Sequence, residues 1–487
     1  MKKSKKFLKV LSATAIAAIM ATSMVSTTAF AVDRTLLSGT QSLTVNVGTA
    51  GAGTYKAYKV ADVYKVGNAA YAYEYTTNFT GKTGLPTIDQ AVTYKTAEQI
   101  SPYANKLVSI AETITDDTAI VSGTLDLAQP VAPGYYLVLA QPTDNKYVVS
   151  PTLVLVTETS AVANAKASEI KFDKSIESIS KEGTVADGNN AGVAEEGAVV
   201  KFNLKANVPS YADGVTLSQK FTIEDTLEKG KFTDVDYKNM TVTVDETELT
   251  EGEDGQYTLT GNDNDGFTIT FDDTWTLANG GKEVNVTFDA TLGENPDVNA
   301  NSNDNTGKVT FANNFATGGL VGDKPGEFEE TVKVYTTELK VYKYATEEGT
   351  EKVLEGAVFE LYKGTDTTDD NKITEGTTNA NGVLTFDKTL DVGKYTIKEK
   401  TPPVGYQNCQ DVVVEITATS EDNTTYKFSY SNADTDGTVK IENTKGQTLP
   451  GTGGVGTTMF TIGGISLVVV AGAMLTIYMK KRKATEE

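Results

Sequence analysis

Tyr395-Thr396-Ile397-Lys398-Glu399-Lys400-Thr401-Pro402-Pro403-Val404-Gly405-Tyr406 opens as a β-strand that carries a carboxylate on its apolar face. Side chains alternate across a strand, so Tyr395, Ile397 and Glu399 share one side. The same parity recurs in two other runs of the C-terminal third. Leu339, Val341 and Lys343 fall together, and so do Val439, Ile441 and Asn443. A lysine, a glutamate and an asparagine are thereby directed toward one core, where polar groups persist only with partners.

Short alternation of this kind runs through the chain, as in residues 42–47, 257–260, 267–271, 283–288 and 439–442. A period of two predicts strands. Asp265-Gly266, Asn279-Gly280-Gly281 and Asn381-Gly382 punctuate them as hairpin turns would. The acidic loop 261–266 has Gly261 where a calcium loop needs its first ligand, and it reads as a hairpin. Helical spacing is confined to residues 101–114, with Ser101 as cap, Pro102 in the first turn and Ala104, Leu107, Val108, Ala111 and Ile114 facing a core. The expected fold class is mainly β, in tandem immunoglobulin-like β-sandwich domains. Where the patterns restart, the chain divides into residues 32–165, 166–330 and 331–446, each long enough to bury a core.

Composition removes most enzyme chemistry. Among 487 residues there is no histidine, and Cys409 is the one cysteine. Histidine-based triads, His or Cys zinc sites and internal disulfides are therefore excluded, and no metal or cofactor is expected. Cys409 reads as a small buried hydrophobe. A net charge of −22 opposes nucleic-acid binding and favours solubility.

The two ends state a destination. Residues 1–31 combine a basic cluster (Lys2, Lys3, Lys5, Lys6, Lys9), an apolar stretch and Ala29-Phe30-Ala31, the pattern of a cleaved secretory signal peptide. Residues 459–479 are apolar and uncharged, long enough to span a bilayer, and Lys480-Lys481-Arg482-Lys483 follow as a positive-inside stop. Leu449-Pro450-Gly451-Thr452-Gly453 stands just before that run. Together, residues 447–487 resemble the cell-wall sorting signal of Gram-positive surface proteins. That resemblance implies cleavage by sortase between Thr452 and Gly453, transfer of the Thr452 carbonyl to an amine, and a final location on the cell wall.

The stretch 395–406 resembles the E-box of CnaB-type pilin and adhesin modules, with Ile397, Lys400 and Pro402 as departures and the glutamate retained. The resemblance implies an intramolecular amide bond from Lys343 to Asn443, promoted by Glu399. Burial fits this chemistry, because desolvation drives a lysine toward its neutral, nucleophilic form while a protonated Glu399 polarises the Asn443 carboxamide. Residues 166–330 resemble the middle domain of major pilins. Ile170, Phe172 and Lys174 share a face, as do Phe221, Ile223 and Asp225, and Val309, Phe311 and Asn313. There Asp225 takes the acid's role, and parity selects Asn313 over its neighbour Asn314 as partner of Lys174.

Major pilins also carry a polymerising lysine before the middle domain. Lys166 matches by position, although the usual flanking Tyr-Pro and Asn are missing, with Lys146 and Lys171 as rivals. The expectation is a structural, non-enzymatic backbone pilin. Its partners would be sortase, further copies of itself joined head to tail, peptidoglycan and minor pilins. A wall-anchored adhesin or minor pilin is the alternative.

Overall fold

The computed structural model describes residues 34–445 except 68–69, 95–96, 263–264, 321–323 and 421, together with 471–476 and 478–479. The leader, the 449–453 motif and the basic tail lie outside these residues, as does most of the run 459–479. Among the described residues no helix is long and apolar enough to cross a membrane. Two compact units are present. One reaches to Glu338 and takes in Lys388–Gly393 and Glu415–Tyr430; the other comprises Leu339–Asp387, Lys394–Val414 and the chain from Ser431 onward.

The mainly β expectation holds throughout both units. In the first, the long strand Gly53–Val66 is the axis of a six-stranded sheet, pairing antiparallel with Arg34–Leu36, Ala70–Tyr75, Ile120–Thr124 and Gly134–Pro142. The helix Ala97–Ala111 covers this sheet through Ile100, Tyr103, Ala104, Leu107, Val108 and Ala111. It begins four residues earlier than expected, which leaves Pro102 inside the helix. The apolar face extends back to buried Ile100, and packing of that turn outweighs the hydrogen bond that proline cannot donate.

Further along the first unit lies a sandwich with its own apolar core. One layer is a five-stranded sheet that starts with Phe172–Ile179, Val199–Asn207 and Glu283–Leu292. The other is seven-stranded, with Gly326–Tyr335, Asn303–Phe311, Thr222–Leu227 and Gly266–Phe271 as consecutive neighbours. The acidic loop is a hairpin, joining the paired strands Tyr257–Asn262 and Gly266–Phe271. The other two glycine turns differ from expectation. Asn279 caps the short helix Asp273–Ala278, and Gly382, at φ +73, leads into a strand that pairs with Lys340–Glu347 rather than with its predecessor.

The second unit is organised by Lys340–Glu347. It pairs antiparallel with Thr350–Val353 and Val383–Thr385, and parallel with Thr438–Glu442. A second layer sets Val358–Lys363 between Lys372–Thr377 and Gly393–Thr401. Along Lys340–Glu347 the residues Val341, Lys343 and Ala345 are buried, as alternation requires.

On the outward side of that second layer, charges bind three strands together. Glu360 accepts hydrogen bonds from Lys372 at 2.8 Å and from the Tyr362 hydroxyl at 2.7 Å, with Lys400 at 3.2 Å. Glu375 meets the same two lysines at 2.6 and 2.8 Å. Lys372 above all holds the Glu360 carboxyl down from 4.5 to about 2. A depressed folded-state pKa gives stability that is complete above the ordinary value and is lost as pH falls through the folded one. The second unit should therefore lose thermal stability between pH 4.5 and about 2. Thermal midpoints recorded across this range should fall less steeply in Glu360→Gln; equal slopes in the two proteins would count against the network.

Candidate functional site

Lys343, Glu399 and Asn443 meet in the dry interior of the second unit, with exposures of 0, 3 and 2%. Lys343 sits at the middle of its strand, while Glu399 comes from Gly393–Thr401 in the facing layer. Asn443 follows Thr438–Glu442, the parallel neighbour of the lysine strand, and its N–H bonds the Tyr344 carbonyl at 2.9 Å. Lys343 Nζ donates to Asn443 Oδ1, Asn443 Nδ2 donates to Glu399 Oε1 at 2.9 Å, and Lys343 Nζ lies 3.6 Å from the same carboxylate oxygen. Phe359 closes one side, its ring centroid 5.6 Å from the amine. Burial pushes the Lys343 pKa down, against the pull of Cys409 and Glu399. An amine, a carboxamide and a carboxyl in mutual contact form the geometry for amide exchange: the nucleophile adjoins the carbonyl, and the acid adjoins the departing nitrogen.

Cys409 is not the core hydrophobe expected. It is half-buried beside the triad, and its backbone N–H donates to Glu399 Oε2 at 2.8 Å. Burial raises its thiol to about 11, so it stays protonated and unreactive at neutral pH.

In the sandwich of the first unit, Lys174 Nζ donates to Asp225 Oδ2 with both side chains fully buried. The lysine reaches across from Phe172–Ile179 in one layer to Thr222–Leu227 in the other. Phe202 and Phe288 wall the amine, with ring centroids at 5.2 and 5.6 Å. Desolvation lowers the lysine and raises the aspartate, driving both toward their neutral forms.

The structure does not bring the expected Asn313 side chain to this pair. Asn313 lies beyond the end of Asn303–Phe311, where its Nδ2 donates to the Lys324 carbonyl at 3.1 Å and its own carbonyl accepts from Val149 at 2.9 Å. Asn314 faces elsewhere too, with Nδ2 3.3 Å from Glu112. The amide near Asp225 is Asn305. Asp225 pairs with Gly307 and Leu227 with Asn305 on adjacent antiparallel strands, and the Asn305 amide helps hold the Asp225 carboxyl down against burial. Asn305 is fully buried, and its approach to Asp225 falls short of a well-formed hydrogen bond, as neither its side-chain polar atoms nor Asp225 Oδ1 has a partner of ordinary geometry. Asn303, on the same face, has a structural role: it donates to the Asp297 and Val334 carbonyls and accepts from the Asp297 N–H. Gly307 leaves room for the lysine, since a Cβ there would meet Phe172 and Leu204 at 2.8 Å and Lys174 Cδ at 3.1 Å. Parity along 303–311 carried a signal for this site: asparagines at core-facing positions beside a glycine.

Lys166 is half-buried between the strands Ala161–Asn164 and Ala167–Glu169, its carbonyl accepting from Ser150 N–H. Burial lowers its amine pKa. Lys146 is raised instead, chiefly by Glu169 at 3.0 Å, and Lys171 is exposed.

Fold and sites define a class, a tandem β-sandwich protein with a buried lysine beside a buried acid in each of two cores. Residues 337–434 match the family of SpaA prealbumin-like fold domains, and residues 441–486 match the LPXTG cell wall anchor motif. The protein is a secreted surface protein attached to a Gram-positive cell wall. Its fold is similar to that of the T6 backbone pilin of serotype M6 Streptococcus pyogenes, at 19% identity and TM-score 0.56 over 84% of this chain and 99% of that one. The full-length major pilin SpaD from Corynebacterium diphtheriae aligns at 19% identity and TM-score 0.45, covering 84% and 98%. The major pilin SpaA of the same organism aligns at 15% and 0.46, covering 83% and 100%. No curated protein sequence is matched.

Condensation in both triads should leave the intact ectodomain about 34 Da below its sequence mass, one ammonia for each bond. Asn305→Ala and Asn443→Ala should each restore about 17 Da, whereas Asn313→Ala should restore nothing. A full deficit in Asn305→Ala, or a loss of deficit in Asn313→Ala, would return the assignment to the end of the strand.

Proposed function

We propose that this chain is the structural backbone subunit of a covalently polymerised, sortase-assembled surface pilus. One observation carries the reading: two buried lysine, acid and amide triads in tandem sandwiches, upstream of a cell wall anchor motif. The backbone-pilin fold of the T6 protein supports it.

Within each triad the neutral amine attacks the carboxamide carbon. A bond forms from Lys343 Nζ to the Asn443 side-chain carbon, and from Lys174 Nζ to that of Asn305. The bond from each carbon to its amide nitrogen breaks, the amine's proton reaches that nitrogen through Glu399 or Asp225, and ammonia departs. Each reaction occurs once per chain, without turnover. In the sandwich of the first unit the new bond would tie one layer to the other. In the second unit it would tie the last strand to the lysine strand.

Between chains, sortase would hold the Thr452 carbonyl as an acyl intermediate, which an amine must resolve. Lys166 suits this role because small residues flank it and burial lowers its amine pKa, while Lys146 is engaged by Asp144 and Glu169. Joining Thr452 of one copy to Lys166 of the next is a heterologous contact that does not close on itself, so a filament grows. Minor pilins and peptidoglycan would cap its ends.

Cell-wall extracts should show an SDS-resistant ladder of covalent multimers that collapses to monomer in Lys166→Ala. Tandem mass spectrometry should find a branched peptide joining Thr452 to Lys166. A branch at Lys146 or Lys171 would move the site and keep the backbone role. Thr452 linked only to peptidoglycan would favour a solitary wall-anchored adhesin.

A further inference from the structure

We propose that Tyr406, Glu347 and Lys445 form a clasp that aims the Glu399 carboxyl at Asn443, making Tyr406 and Glu347 positioning residues for the bond in the second unit. The inference rests on the bond-forming reading above and goes further, by naming what orients the acid and when it becomes oriented.

Glu399 is held at both oxygens. Asn443 Nδ2 occupies Oε1, and the backbone N–H of Cys409 occupies Oε2. The second donor sits in the segment after Gly393–Thr401, which has no strand pairing between Thr401 and Val412 apart from one bridge at Tyr406. A donor on such a segment keeps its place only if the segment is anchored. Tyr406 supplies the anchor: its hydroxyl donates to Glu347 Oε1, and it forms an isolated bridge with Lys445. Lys445 Nζ reaches Glu347 Oε2 at 3.0 Å, Lys352 Nζ lies 3.3 Å from Oε1, and Gln407 N–H donates to the Thr444 carbonyl at 3.0 Å. The turn that brings Tyr406 back is closed by its own N–H on the Pro403 carbonyl, with Gly405 at φ +89.

Tyr406 hydrogen bonding and the Lys445 pair hold Glu347 down to about 2, so the hub stays ionised across the physiological range. A hydrogen bond to a charged acceptor is stronger than a neutral one, so a Tyr406-to-carboxylate contact suits a fixed anchor.

Two of the clasp's contacts, Thr444 and Lys445, come directly after the reacting Asn443. The acid is therefore oriented only once the final strand has docked. Before that the carboxyl lacks both its substrate amide and the anchored N–H behind it. Placement of a reacting group governs rate more than its mere presence does. The clasp couples arrival of the amide to alignment of the acid.

The test follows bond formation in newly synthesised full chain by intact mass over time, with the Lys174 bond as an internal clock. Tyr406→Phe should slow the Lys343 to Asn443 condensation about tenfold or more while the other bond forms on schedule. Glu347→Gln, which keeps an acceptor for Tyr406 but loses the Lys445 pair, should slow it less. Cys409→Ala, which keeps the N–H and removes the thiol, should retain the wild-type rate. In an Asn443→Ala background, where no bond forms, Tyr406→Phe should speed hydrogen exchange at the Cys409 amide and leave Val341 protected. An unchanged rate in Tyr406→Phe overturns the clasp, as does equal slowing of both bonds, which marks a general folding defect. Slowing in Cys409→Ala as large as in Tyr406→Phe would transfer the role to the thiol. A wild-type chain without any mass deficit would overturn the bond reading itself.

Discussion

A lysine amine in a dry β-sandwich core is the constraint around which this structure is arranged. An isolated charge there costs several kcal/mol even after relaxation, so the amine must be neutralised, paired or consumed. Lys174 and Lys343 each meet that demand with an acid and a carboxamide at contact distance or one strand away, walled by phenylalanine. A salt bridge alone would be a poor solution, since apolar residues of equal volume are often more stabilising. Conversion to an amide, as proposed above, would remove the charge altogether and leave a neutral link.

The two clusters are assembled by different routes. In the second unit the amine and the amide belong to parallel neighbours in one layer, and the acid arrives from the facing layer. In the first unit the acid and the amide share adjacent antiparallel strands, and the lysine crosses the core to them. One set of side-chain types is thus brought together by two topologies. The requirement is three core-facing side chains at one depth, not a particular strand order. Gly307 shows the cost of the second route, because the long lysine stem needs a position on the opposite layer with no side chain at all.

Around these cores the surface is acidic, and lysines and carboxylates form shared networks on it, with Lys372 and Lys400 each between Glu360 and Glu375, and Glu347 between Lys352 and Lys445. Single exposed pairs contribute little, whereas shared ones across strands act as networks. At Glu347 such a network lies next to a buried triad and closes on the residues that lead to the wall anchor motif, so surface charge and core chemistry are joined by a few residues of chain.

Alternation in residues 339–343, 395–399 and 439–443 was enough to place the strands and their shared face, because a period of two is a local property of the backbone, and the E-box resemblance singled out the three polar groups on it. Absence of histidine, a single cysteine and the apolar and basic C-terminus likewise determined what chemistry and which cellular address were open. Asn305 was beyond that reach. Parity selects a face but leaves open which core-facing position on one strand lies opposite Asp225, and that is decided by cross-strand register between residues far apart in sequence. Helix onset at Ala97 depended on the packing of Ile100, and the Asn279 and Asn381 turns on which strands paired next. The anchoring of Cys409 N–H through Tyr406, Glu347 and Lys445 was equally invisible in the sequence, since it exists only where three separated segments converge.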